Sequence, residues 1–142
     1  MPSKSSAPVR LHHVGIIVPD GEQARFLLDL LGLTESRRYY VPEYEAECLF
    51  TSGPAGVIEF IIPRGGKLAK FNKGMGGLHH LALEVADLEQ TAAEMRVKGY
   101  ELLEREPVDA GPIWINFLPP AVTRGIIVEF VQTKADNLEN SA

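Results

Sequence analysis

The sequence repeats itself, and that repeat constrains the fold more than any other feature of the chain. When His13 is laid on His80, an offset of 67 residues, eight identities appear: Leu11, His12, His13, Val18, Asp20, Glu22, Gln23 and Gly32 meet Leu78, His79, His80, Val85, Asp87, Glu89, Gln90 and Gly99. Conservative pairs fill the gaps, with Val14 on Leu81, Ile16 on Leu83 and Leu30 on Val97. A match this dense over one short window is the signature of an internal duplication. It returns late in each copy, where Gly56-Val57-Ile58-Glu59-Phe60 resembles Gly125-Ile126-Ile127-Val128-Glu129-Phe130. There Glu59 falls on Glu129 at an offset of 70, so the second copy carries about three extra residues, which we place in the proline-containing stretch 119–124.

Each copy reads in the same order. A short apolar strand, 11–18 or 78–85, leads to an aspartate suited to capping a helix, with glutamine three residues on. Helices are expected over 21–31 and 88–98, and Gly32 and Gly99 stand where a left-handed residue ends a helix without steric cost. β-prone runs follow at 39–40, 47–51 and 56–62, then at 100–104, 113–118 and 126–132. The expected unit is β-α-β-β-β, twice, making one α+β domain over 11–133 with modules at about 11–63 and 77–133. Residues 1–10 and 134–142 read as flexible tails.

All four histidines lie at equivalent places in the repeated strand, as His12-His13 and His79-His80. Neighbours in a strand face opposite sides, so one histidine of each pair can look into a shared concavity. His13 shares its side with Gly15 and His80 with Ala82, whereas Val14, Ile16, Leu81 and Leu83 form an apolar side for a helix to cover. Small neighbours leave room for a ligand, which selects His13 and His80 and leaves His12 and His79 as competitors. Glu59 and Glu129 each sit inside an apolar strand, where a carboxylate is costly unless it is paired, coordinated or solvated. One strand histidine is more often a hydrogen-bonded core residue than a ligand. The same pair of types in both copies favours a single metal centre of two nitrogens and two oxygens, His13, Glu59, His80 and Glu129. That donor set suits one divalent ion per chain: Co, Ni, Mn, Zn or Fe(II).

Composition narrows the function classes. With 45% hydrophobic and 23% charged residues the chain can bury a core, and a net charge of −5 argues against a nucleic-acid partner. No apolar run approaches a membrane span, so a cytoplasmic protein without membrane contact is expected. The single cysteine, Cys48, excludes an internal disulfide and reads as inert packing. Arg64, Lys67, Lys70 and Lys73, with no acid between them, suit either an anionic substrate tail or a solvated linker.

The His-x-Gly-Ile-x-Val strand opening at His13, the Gly-Leu-His-His-Leu-Ala-Leu-Glu-Val segment from Gly77 and the two glutamate-bearing strands resemble the vicinal oxygen chelate (glyoxalase/bleomycin resistance) superfamily. Lys73-Gly74 and the segment from Gly125 to Gln132 most resemble its methylmalonyl-CoA epimerases. The resemblance implies two βαβββ modules forming an incomplete eight-stranded barrel around a metal site, and a homodimer. It also implies an epimerase or isomerase acting through a metal-stabilised enolate on a small acid or acyl thioester, anionic or CoA-linked, with Glu47 and Glu129 as acid-base groups. A glyoxalase I-like lyase and a small-molecule binding or resistance protein are the alternatives.

Overall fold

The computed structural model describes residues 7–54 and 57–135. They group into two compact units: His13–His80, and the described residues before His13 and after His80. These units differ from the expected modules, because their boundary cuts the first strand of each copy, between His12 and His13 in one and between His80 and Leu81 in the other. The tail expectations for 1–6 and 136–142, and Gly56 of the expected strand, lie outside the described residues. Arg10, placed in a tail by the sequence, opens the first strand, where Val9 N donates to Glu84 O and Arg10 meets the Glu84 carboxylate at 2.8 Å.

In the unit His13–His80, β1 (Arg10–Ile17) runs parallel to β4 (Ile58–Pro63), with Gly15 opposite Glu59. Next to β4 lies antiparallel β3 (Ala46–Ser52), and β2 (Thr34–Val41) pairs with β3. Helix α1 (Gly21–Leu31) starts on Asp20, whose carboxylate accepts from Gln23 N, and ends on Gly32 at φ 67°. Its spaced apolar residues Ala24, Leu27 and Leu28 join Ile16, Val18, Leu33, Leu49, Phe60 and Ile62 in one core. On the other side of the same strands Ile17, Ala46 and Ile61 form a smaller cluster, which Leu68 of α2 (Gly66–Ala69) and Phe71 cover.

In the second unit the scheme recurs. β5 (Gly77–Glu84) runs parallel to β8 (Val128–Thr133) from Leu81 onward, β7 (Ile113–Phe117) lies antiparallel to β8, and β6 (Val108–Ala110) borders β7. Helix α3 (Leu88–Val97) is capped by Asp87, and Leu88 packs with Val85, Leu102 and Phe130. The loop expected over 119–124 contains a helical turn, α4 (Pro120–Thr123), closed by Arg124 in the left-handed region.

One expected strand is absent. Residues 100–104 form no ladder, and the strand in that place is β6. The reason lies in Asn116, whose buried side-chain amide donates to Glu104 O and accepts from Glu104 N at 3.0 and 2.9 Å, while Leu103 N donates to Phe117 O. These bonds occupy Leu103 N and both backbone groups of Glu104 without forming a ladder. Among the described residues no helix is long and apolar enough to cross a membrane.

Candidate metal centre

Burial alternates along β1, with His13, Gly15 and Ile17 inside and their neighbours less so. His13 and His80 are buried, and the ring nitrogens Nε2 of the two lie 3.0 Å apart. Glu59, set in β4 opposite Gly15, brings Oε1 to 3.3 Å from each of those nitrogens. Three donor atoms from β1, β4 and β5 therefore form a triangle with sides of 3.0, 3.3 and 3.3 Å. The burial of His13 and His80 agrees with the inward side that parity assigned them.

Gly15 makes the triangle possible. A Cβ there would stand 2.2 to 2.6 Å from the His80 ring, so the strand passes under the imidazole only because the residue has no side chain. Phe50, opposite Glu59 in β3, packs its ring edge-on to His13 at 5.1 Å and closes the other side. Neither role was read from the sequence. A signal for Phe50 existed, since Phe117 stands 67 residues further on.

The donor set fits a divalent ion. Imidazole nitrogen and carboxylate oxygen bind such ions at about 2.0–2.2 Å, and two ligands at a right angle are then about 3 Å apart. Glu59 Oε1 is buried and makes no hydrogen bond, its two approaches to the imidazoles lacking the alignment of one. A buried acceptor left without a proton donor is what a cation resolves. Burial pushes the Glu59 carboxyl up, but the charge of His13 and the contacts of both imidazoles outweigh it and hold the group well below the usual carboxylate range. The oxygen is therefore anionic at neutral pH.

The remaining candidates divide. His79 is half-buried, its Nδ1 2.8 Å from Nδ1 of His80 and its ring edge-on to Phe71. His12 is also half-buried. Glu129, in the other unit, is buried in β8 opposite Ala82 of β5 and Phe117 of β7. Glu59 stands in the same way opposite Gly15 and Phe50.

Glu47, named above as an acid-base group, lies in β3. It shares a face of β3 with Leu49, which packs into the α1 core, while Phe50 of the other parity meets His13. Both Glu47 oxygens are held by arginines, one by Arg64 at 2.7 Å and the other by Arg38. The hydrogen bonds from Arg64 and then Arg38 lower the Glu47 pKa. The sequence showed a glutamate in an acidic run but not the two arginines that claim it. Cys48, half-buried, sits in register between Tyr39 and Ile61.

The model of the Glyoxalase/Bleomycin resistance protein/Dioxygenase superfamily matches residues 12–117. The mitochondrial methylmalonyl-CoA epimerase of Bos taurus is 30% identical over 130 residues, which cover 87% of this chain and 74% of that protein. The crystal structure of methylmalonyl-CoA epimerase from Mycobacterium tuberculosis has a TM-score of 0.86 at 25% identity, covering 98% of this chain and 97% of the other. A methylmalonyl-CoA epimerase solved in complex with methylmalonyl-CoA and NH4+ has a TM-score of 0.78 at 25% identity, covering 91% and 97%.

Proposed function

Taking as premise that the chain belongs to the glyoxalase/bleomycin resistance protein/dioxygenase superfamily, we propose that it is a divalent-metal-dependent epimerase of a CoA-linked 2-substituted malonyl thioester. It is an enzyme of the epimerase or isomerase kind, with a mixed α+β fold of glyoxalase type. The observation that carries the metal reading is the triangle of His13 Nε2, His80 Nε2 and Glu59 Oε1. Glu129 is assigned as the fourth ligand on the strength of its register, opposite a small residue and a phenylalanine as Glu59 is. A divalent ion held by these four would supply Lewis-acid polarisation of a substrate carbonyl.

The chain's own residues do the rest. Gly15 and Phe50 fix the imidazoles, and Glu59 supplies an anionic oxygen beside them. Glu129 is assigned to moving the proton on the carbon beside the thioester carbonyl. Inversion also needs a proton donor on the opposite face of that carbon, and Glu47, implied there by the family resemblance, would have to leave the contacts with Arg38 and Arg64 to serve as it. The exposed Lys67, Lys70 and Lys73 offer positive charge to the phosphates of a CoA tail. A homodimer is the expected assembly, and sedimentation at micromolar concentration showing monomer alone would contradict it.

Incubation with methylmalonyl-CoA in deuterated water, followed by mass spectrometry, tests the reaction. Deuterium should enter at the carbon between the two carbonyls, and chelation followed by dialysis should stop the exchange. Exchange undiminished after complete metal removal would contradict metal dependence, and no exchange by the metal-loaded protein would contradict the substrate.

A further inference from the structure

We infer that His79 is a positioning residue for the metal centre: it accepts a hydrogen bond from Nδ1–H of His80 and so keeps the proton off Nε2 of His80, the atom that meets His13 and Glu59. The inference rests on the metal reading above and deepens it.

Adjacent strand residues ordinarily point to opposite sides. Here the His79 ring instead reaches its neighbour, with ring centroids 5.1 Å apart, planes nearly perpendicular at 89° and the two Nδ1 atoms 2.8 Å apart. Two nitrogens at that distance need one proton between them, because two lone pairs would repel. A neutral imidazole carries a single N–H, so the direction of this bond decides which His80 nitrogen carries the proton. If His79 donates, the His80 proton sits on Nε2 and blocks the atom that faces Glu59. If His80 donates, its Nε2 keeps a lone pair, which accepts from Nε2–H of His13 at 3.0 Å in the metal-free protein and can hold a cation once that proton has left. Acceptance by His79 and cation binding by His80 therefore belong to the same state.

His79 is itself held. Its ring stands edge-on to Phe71 at 5.0 Å, and Phe71 packs on the cluster of Ile17, Ala46 and Ile61. The segment behind Phe71 is fixed by its backbone: Asn72 and Lys73 take φ of 52° and 58°, and Asn72 Nδ2 donates to Gly76 O at 2.7 Å. Gly76, at φ 73°, passes so close to β1 that a Cβ would lie 2.3 Å from Ile17 O. The basic stretch ending at Lys73 thus has a second task, as a buttress that sets the His79 ring.

The test uses 15N-labelled full-length protein with Zn2+ as probe, reading imidazole tautomers by long-range 15N–1H correlation and affinity by chelator competition. In the zinc-loaded wild type, His80 should be protonated at Nδ1 and His79 at Nε2. His79→Phe should keep the metal-free melting temperature yet weaken zinc binding about 10–100-fold, the scale found when a ligand's outer partner is removed. His79→Gln, which restores an acceptor, should recover most of that loss, and His12→Phe should leave the His80 tautomer unchanged. A His79 protonated at Nδ1 in the loaded protein, or wild-type zinc affinity in His79→Phe, would overturn the inference while leaving the metal centre standing. A wild type whose His80 signals ignore zinc would overturn the metal centre as well.

Discussion

The two copies of the repeat agree most closely where the candidate ligands lie and diverge at the strands furthest from them. Glu59 and Glu129 each face a small residue on a parallel strand and a phenylalanine on an antiparallel one. By contrast β2 is eight residues long and pairs with β3 along its length apart from a bulge at Ser36, while its counterpart is the three-residue β6 beside a segment held by a side chain. Leu49 and Asn116 mark the contrast. They occupy equivalent places, opposite Phe60 and Phe130, yet one is apolar core and the other hydrogen-bonds Glu104. Donor positions tolerate little drift, whereas a peripheral segment can satisfy its backbone in more than one way.

Exchanging that pair should have the largest effect on stability. Leu49→Asn buries an amide among apolar side chains and should cost about 4 kcal/mol, combining lost burial of about 2 kcal/mol with an unsatisfied polar group of similar cost. Asn116→Leu removes two hydrogen bonds to Glu104 and should cost about 2 kcal/mol. Urea unfolding measures both. Equal costs would mean that the two positions are not specialised as described.

Gly15 and Ala82 sharpen the comparison at the centre itself. Both face a glutamate in register, but only Gly15 runs under an imidazole. Gly15→Ala should force His80 aside, lowering zinc affinity by about 100-fold or more, at or beyond the upper end for loss of a ligand's support, and stability by about 1–3 kcal/mol. Ala82→Gly should cost no more than about 1 kcal/mol, with zinc affinity nearly unchanged. Calorimetric titration of both variants would separate them, and similar losses would remove the special role of Gly15.

Much of this was legible in the sequence because the repeat tied distant residues together. The order of elements, the bounds of α1 and the inward choice of His13 and His80 followed from periodicity and the matched histidines. Residues 100–104 were misread because β-prone side chains say nothing of where their backbone bonds go, and Asn116 lies twelve residues away from Glu104. The face that Glu47 takes was not legible, because strand parity fixes which residues share a face, not which face looks inward. Arg38 and Arg64, far apart in sequence, decided its environment. The requirement for glycine at position 15 was invisible for the same reason, since the ring it clears belongs to residue 80.

The smallest expected effect concerns Glu47, the anion beside arginines, as against Glu59, the anion beside imidazoles. The Glu47 pKa is lowered from its usual 4.5, so its contribution to stability is present above that pH and is lost as the pH falls through the folded-state value. Because Arg38 and Arg64 are largely exposed, Glu47→Gln should cost only about 1 kcal/mol at pH 7. The gap from wild type should hold down to about pH 5 and close below it, with zinc affinity unaffected. A gap that widens in acid would reverse the sign of the argument.

The central claim is that His13 and His80, and not their strand neighbours, hold a divalent ion with Glu59. Zinc titration of the metal-free protein, followed by its melting temperature, tests this most directly. Wild type, His12→Ala and His79→Ala should bind about one ion per chain and gain stability, by about 4 kcal/mol at a free concentration a thousandfold above Kd. For His79→Ala that Kd is a weakened one. His13→Ala and His80→Ala should bind none and gain nothing. Stoichiometric zinc binding that survives in His13→Ala and His80→Ala, or equal loss in all four variants, would contradict the account.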